Sequence, residues 1–532
     1  MLNIILQEEP LDFHKEVIIG AAYEAAPKTV RQQFAMSVPV SSNYLSRKMS
    51  PLFDSESYKT INETGFQLTG QQAVTTFSVD VDRAAYSNIR RYLIEGQLPP
   101  ADAVRIEEMI NYFDYEYKQP TGNSPVALHT ELTDSPWNKG LKLLHIGMQA
   151  KTISAENLPA SNLVFLIDAS GSMMDENKLP LVKQSLKLLV NQLREEDKIS
   201  IVAYAGSAGE VLPPTSGKEK LKIKNALDKL EAGGSTAGGA GIELAYKLAE
   251  DNFLPEGNNR VILATDGDFN VGVSSEGGLQ RLIEAKRKTG IYLSVMGFGM
   301  GNYRDNIAET LADKGNGNYA YIDNIQEAQK EFVHEFGGTL FTVAKDVKVQ
   351  IEFNPSHVQA YRLIGYENRA LKNEEFHDDK KDAGEMGSGH VVTALYEIVP
   401  AGMESKYLPK TDVLKYQNID ISKVGKTNEM LTIKVRYKKP DSEKSQLFDL
   451  PVSNTSKPFA SCSENLRFAS AVAEFGLILR DSEFKGSASY ANVISRAKAA
   501  IGEDNEGYRA EFVQLVRKSQ SLSSQNETAI KD

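Results

Sequence analysis

Asp168, Ser170 and Ser172 alternate within NLVFLIDASGSMM, residues 162–174, and set one carboxylate and two hydroxyls where the chain can turn at Gly171. Oxygen donors of this kind suit a hard divalent cation, Mg²⁺ rather than zinc. Two more segments end in oxygen donors. The glycine-rich GGSTAGGAG presents Thr236, and RVILATDGD ends in Asp266, with Asp268 two residues on. Carboxylates at buried strand ends are costly unless a cation or strong donors neutralise them, which is the physical case for a metal where the three segments meet. Asp268 lies outside this core and reads as a turn residue. Met173 and Met174 read as packing under the loop in preference to its rim.

The elements that would position these groups surround them in the sequence. Leu163 to Ile167 form a continuous apolar run, as in a strand buried on both faces. From 161 to 338 such runs alternate with amphipathic helical stretches, for example LVKQSLKLLVNQL, KISIVAYA, a short GEVL, IELAYKLAE, RVILATD and IYLSVMGFG. This alternation predicts an α/β unit with a doubly wound, mostly parallel sheet. Sheets of this class hold ligands beyond the strand carboxyl ends, where the strand order reverses. GFGMGNYRDN, residues 297–306, is neither GxGxxG nor a P-loop and does not read as a nucleotide site.

On either side of this unit the pattern changes. VALHTELTD and GLKLLHIGMQAKT, joined by SPWNKG with the sole tryptophan, Trp137, precede it. KDVKVQIEF, HVQAYRLIGY, HVVTALYEIV and MLTIKVRYK follow it, and all alternate like antiparallel strands with one wet face. The α/β unit is therefore expected to be inserted in a loop of an antiparallel β-sandwich. The expected division is a strand-like piece at 1–20, a linker at 21–70, a small α+β domain at 71–124, sandwich strands at 125–160, the α/β domain at 161–338, the rest of the sandwich at 339–460, helices at 461–520 and a polar tail at 521–532. Within 71–124, Asp80 and Asp82 read as a strand-end acid and a helix cap rather than as metal ligands. His129 and His145 lack ligand spacing and read as packing or surface. Phe468, Val472, Phe475 and Leu479 form one helical core stripe, and Tyr508, Phe512, Leu515 and Val516 another.

The 532-residue chain has a formal net charge of -11, which argues against a nucleic-acid partner. One cysteine, Cys462, excludes an intrachain disulfide. No run of about 18 apolar residues is present, so no membrane-spanning helix is expected. MLNIILQEEPLDF carries acids where a signal peptide is apolar. LNIILQ and EVIIGAAY resemble the closing segment of the carboxypeptidase-regulatory-like β-sandwich found at the front of many bacterial envelope proteins. That resemblance implies a natural start, and any export signal, upstream.

DASGSM, GGST and ATDGD, in this order, resemble the three parts of the metal-ion-dependent adhesion site of von Willebrand factor type A (VWA) domains. TTFSVDVDRAAYSNIRRYL, RIEEMINYF and the strand-plus-helix region after the α/β unit resemble the flanking domains of a bacterial subgroup of VWA proteins. The resemblance implies Ser170, Ser172 and Thr236 as direct hydroxyl ligands of Mg²⁺, with Mn²⁺ or Ca²⁺ as alternatives, and Asp168 and Asp266 holding it directly or through water. Mostly neutral ligands leave the metal its charge, so a partner protein's Asp or Glu would complete the coordination. The implied function is non-enzymatic, metal-dependent adhesion or assembly at the bacterial cell envelope, periplasmic or associated with the outer membrane. A cytoplasmic adaptor for an AAA-type ATPase is one alternative. A metal-dependent phosphatase or hydrolase is another, but Ser170 stands where such sites carry a second Asp, and no Ser/His/Asp or Cys/His arrangement is evident.

Overall fold

The structure, a computed structural model, describes residues 56–531 apart from 155–156, 236–237, 268–275, 302, 336–340, 380, 382, 410–426, 441 and 443. The strand-like piece expected at 1–20 and most of the expected linker lie outside the described residues. The flanking strands form two sheets. One runs β1 (Gln67–Leu68), β12 (Val358–Leu363), β15 (Val391–Pro400), β4 (Lys142–Ala150), β3 (Val126–Asp134), antiparallel throughout. The other runs β13 (Ala370–Leu371), β2 (Val74–Ser78), β11 (Thr342–Phe353), β16 (Glu429–Lys438), β17 (Ser445–Ser453), also antiparallel, with β14 (Gly384–Gly387) beside β11. Side-chain alternation joins them: Leu144, Ile146 and Met148 of β4 share a core with Val349, Ile351 and Phe353 of β11.

Between β4 and β11 the chain builds the expected α/β unit. Its sheet has the order β10 (Tyr319–Ile322), β9 (Ile291–Phe298), β8 (Asn258–Thr265), β5 (Ser161–Asp168), β6 (Lys198–Tyr204), β7 (Ala208–Ser216). All neighbours are parallel except β6 and β7. The short GEVL run proves to be the middle of β7, an edge strand, where Pro213 and Pro214 lose no ladder bond. After α1 (Ala84–Ile94) and α2 (Ile106–Asn111) of the amino-terminal part, the unit adds α3 (Leu179–Gln192), α4 (Lys220–Asp228) and α8 (Ile325–Gln329) on one sheet face. The other face carries α5 (Gly238–Asp251), α6 (Glu276–Arg287) and α7 (Asp305–Lys314). The chain leaves β5 for β6 on one side and returns to β8 on the other. The reversal of strand order therefore falls at the carboxyl end of β5.

The first flanking sheet has no wet face along β4 and β15, contrary to the alternation expected of it. Leu143 and Leu395, on the side away from the sandwich core, pack with Phe468, Val472 and Phe475 of α9 (Glu464–Leu479) and with helices α1 and α2. α10 (Tyr490–Lys498) and α11 (Tyr508–Lys531) complete this helical layer through Val493, Phe512 and Val516. Residues 71–124 are thus shared out, β2 going to a sandwich sheet and α1 and α2 to the helices. The described end of the expected linker is also held in place. Glu56 accepts hydrogen bonds from Arg91 (2.7 Å) and Tyr92 (2.8 Å), and the Phe66 ring stacks on Tyr407. At the other end α11 continues through the expected tail to Lys531. Among the described residues no helix is long and apolar enough to cross a membrane.

Candidate metal-ion site

β5 ends in Asp168, and its neighbour β8 runs out at Thr265 into Asp266, so two carboxylates emerge beside each other at the switch point. Both are fully buried. Asp168 Oδ1 accepts the Ser170 backbone N–H (2.9 Å), and Oδ2 accepts the hydroxyls of Tyr204 (3.1 Å) and Thr265 (3.3 Å). Its own loop and the strands on both sides therefore fix its orientation. Burial raises the Asp168 pKa above the ordinary carboxylate value; the bonds from Ser170 oppose this, and the charge of Asp266 adds to it. Burial pushes the Tyr204 phenol well up, so it remains a donor.

Beyond Asp168 the backbone is extended at Ser170 and then tightens into a 3₁₀ turn over Gly171–Met174. Ser170 Oγ and Ser172 Oγ lie 3.1 Å apart. Gly171 N–H donates to the Gly234 carbonyl (3.0 Å) and Gly233 N–H to the Ala169 carbonyl (2.8 Å). These bonds bring the GGST turn against the DASGS loop. Thr236 and Asp268 themselves lie outside the described residues. Met173 is buried in the core under the loop, and Met174 stands 67% exposed at its rim. Gly267 follows Asp266 with φ +84°, and a Cβ there would come within 2.6 Å of the Arg304 backbone nitrogen, so the third loop needs glycine.

Sequence reasoning missed two contributors. Lys178 is buried, and its Nζ lies 3.0 Å from Asp266 Oδ2. The available signal was a lone cation in the short connection between the motif and α3. Tyr204 ends the apolar run of β6 and stands opposite Asp168 in register, which was readable once β5 and β6 were paired.

The donor set fits a hard divalent cation. Neighbouring ligands around an octahedral cation that binds oxygen at about 2.1 Å are about 3.0 Å apart, close to the separation of the two serine hydroxyls. Elsewhere among the described residues, Asp82, Glu108 and Glu309 are buried with ligand atoms within 4.8 Å of one another. Guanidinium groups already serve that cluster: Arg369 donates to Asp82 (2.7 Å) and Glu309 (3.2 Å), and Arg105 pairs with Glu108. Asp82 is not the expected helix cap. It accepts the Tyr319 N–H (2.9 Å), while Glu108 takes the Ala85 N–H at the start of α1 (2.9 Å). Asp80 pairs with Arg369 at 3.3 Å. His145 is buried against the Tyr117 hydroxyl (2.8 Å), with its pKa lowered to about 4 by burial, and His129 bonds the Lys118 carbonyl.

Comparison with known proteins agrees with this geometry. The von Willebrand factor type A domain pattern matches residues 162–335, a von Willebrand factor pattern matches 52–145, and the pattern described as the C-terminal part of the uncharacterized protein YfbK matches 338–522. The chain is 45% identical over 467 residues to the uncharacterized protein YfbK of Escherichia coli (strain K12), across 86% of this chain and 80% of that one. It is 29% identical over 195 residues to the uncharacterized protein sll0103 of Synechocystis, across 36% of this chain and 44% of that one. With inter-alpha-trypsin inhibitor heavy chain H3 of Mus musculus it shares 27% identity over 203 residues, across 36% of this chain and 22% of that one. The α/β unit is a VWA domain, a protein-interaction fold that commonly binds a divalent metal, and the whole chain belongs to the YfbK family of VWA proteins.

Proposed function

We propose that this chain is a non-enzymatic, divalent-metal-dependent protein-binding protein of the bacterial cell envelope. Asp168, Ser170, Ser172, Thr236 and Asp266 would hold Mg²⁺, which would capture an Asp or Glu side chain of a partner. The observation that carries the reading is the pair of serine hydroxyls 3.1 Å apart, beside two fully buried carboxylates at the point where the strand order reverses. The serines are neutral donors, and the Lys178 ammonium offsets the charge of Asp266. The protein therefore brings little net negative charge to the site. Bound Mg²⁺ would keep most of its charge and act as an electrostatic anchor for an incoming carboxylate. Asp168 is locked by its three donors, and the exposure of Ser172 and Met174 leaves the outer side of the loop open to a partner. Placement at the envelope rests on the resemblance of residues 1–20 to the closing segment of an envelope-protein domain.

Calorimetric titration with MgCl₂ and MnCl₂ tests the reading on the unmutated chain, Asp168→Ala and Ser170→Ala. Saturable binding that both variants lose is expected, as is a partner retained from envelope extract only without EDTA and only by the unmutated chain. No metal binding by the unmutated chain, either alone or with an excess of acidic peptide, overturns it. Fractionation of cells carrying the natural gene tests the location separately, and recovery in the cytoplasm would refute it.

A further inference from the structure

β7 is the edge strand of the VWA sheet, and with α4 it bounds an open groove of about 800 Å³. Val211, Leu212 and Pro213 of β7 and Ala226 of α4 give the groove an apolar wall. Leu221, at the start of α4, also lines it and is 73% exposed, more than any other large apolar side chain among the described residues. Water gains from the covering of such a side chain, and apolar surface rimmed by polar residues marks interaction sites.

The rim is basic although the chain is acidic. Lys218, Lys220, Lys222 and Lys229 line the groove against one acid, Glu219, a local formal charge of +3 in a chain whose total is -11. Lys222 and Lys229 are seven residues apart, which places them on one face of the helix, two turns or about 10 Å from each other. Lys229 is exposed and has no ion-pair partner among the described residues. The pairs that its neighbours make are open to water. Lys218 meets Glu195 at 2.6 Å with both side chains about two-thirds exposed, and Lys222 meets Glu219 at 3.7 Å with both about half exposed. Such pairs contribute little and exchange readily for a partner's carboxylates.

We propose that this groove docks an acidic segment of a partner protein, an apolar side chain covering Leu221 and acids on either side of it meeting the lysines. The lining separates this partner from other polyanions. Among the described residues no aromatic ring lines the groove to stack a base, and no arginine lines it to grip a phosphate with two hydrogen bonds. The nine residues of α4 make the groove about 13 Å long, the span of about four residues of extended chain, and its concave form suits such a chain better than a flat bilayer. The groove contains none of the proposed metal ligands, so the inference stands apart from the metal reading.

The test uses the full-length chain in EDTA, which takes the metal reading out of the outcome. A random heptapeptide library displayed on phage is selected on the immobilised chain at low ionic strength, and the most enriched peptide is synthesised for fluorescence anisotropy. Enriched sequences are expected to carry acids around an apolar residue, and binding should weaken about tenfold or more as NaCl rises from about 50 to about 500 mM. Lys222→Glu combined with Lys229→Glu should weaken that peptide about tenfold or more, and Leu221→Ser about threefold or more. All three side chains are exposed, so the circular dichroism and thermal midpoint of the variants should match those of the unmutated chain. The proposal is overturned if no peptide is enriched, if the enriched sequences show no acidic bias, or if the variants bind the peptide as the unmutated chain does. It is equally overturned if a single-stranded oligonucleotide or phosphatidylglycerol vesicles bind more tightly than the peptide and lose that binding in the lysine variant.

Discussion

Glu107 lies in α2, 2% exposed, with Oε2 accepting no hydrogen bond. Burial raises its carboxyl to about 7, chiefly because the charged form loses water; Glu367 and Glu108 add to the shift and Arg480 opposes it. Arg480 is itself engaged by Glu367 at 2.8 Å. A carboxylate whose folded pKa is raised binds its proton more tightly folded than unfolded. Stability is then highest at low pH, falls as pH rises above the unfolded value, and levels off once pH passes the folded value. A rise to about 7 amounts to about 3 kcal/mol of destabilisation at pH 8 and less than about 1 kcal/mol at pH 5. Glu107→Gln replaces the group with a neutral one of the same shape. The variant should gain about 2–3 kcal/mol relative to the unmutated chain between pH 5 and pH 8. That change is insensitive to the amide's own hydrogen bonding, which is the same at both pH values. Urea unfolding of both proteins at the two pH values reads it from the midpoints and slopes. A stability difference that does not change with pH would refute the reasoning, because it would mean that Glu107 stays ionised in the fold.

Lys178→Met removes an ammonium 3.0 Å from Asp266, and Mg²⁺ affinity measured by calorimetry should rise by about tenfold or more as that competing charge is lost. Unchanged or weaker binding would show that Lys178 positions Asp266 rather than offsetting it. Gly267→Ala forces a side chain onto a φ of +84° and toward Arg304, and should cost about 1–3 kcal/mol in thermal denaturation. Arg369→Met strips a shared guanidinium from buried Asp82 and Glu309 and should destabilise by about 3 kcal/mol or more at neutral pH. Unfolding of that variant should become less severe as pH is lowered, because burial raises the pKa values of both acids and so favours their neutral forms.

The VWA unit was legible because strands buried on both faces, such as β5 and β8, read as unbroken apolar runs with no competing pattern. The two carboxylates were legible for the same reason, as polar residues where such runs stop. β17 was missed because SQLFDLPVS carries a proline and exposed side chains, which only its place at a sheet edge explains. The helical cover over β4 and β15 was missed although HVVTALYEIV is nearly all apolar. The alternation within each segment masks the overall hydrophobicity that a strand covered on both faces carries. β2 and β11 pair across more than 260 residues, Val74 to Glu352 among them, and nothing local in either segment names the other.

The same distance hides what holds the VWA unit in its frame. Arg90 of α1 reaches Asp323 (2.8 Å) and Glu327 of α8 (2.6 Å), and Arg105 reaches Asp305 at the start of α7 (2.6 Å). Buried pairs of this kind add little to stability over apolar packing, but breaking one is costly, so they act mainly to select one way of docking. Their placement bears on the candidate site. Glu56 accepts the Gly301 N–H (2.9 Å), and Ser57 bonds the Tyr303 carbonyl (3.2 Å) and the Asn306 side chain (2.9 Å). These contacts and the Arg105 pair brace the β9–α7 loop, and Arg304 of that loop packs on Gly267, directly after Asp266. One wall of the candidate metal-ion site is therefore set by residues from outside the VWA unit. Its geometry belongs to the whole chain, and an excised 161–338 segment would lack that support.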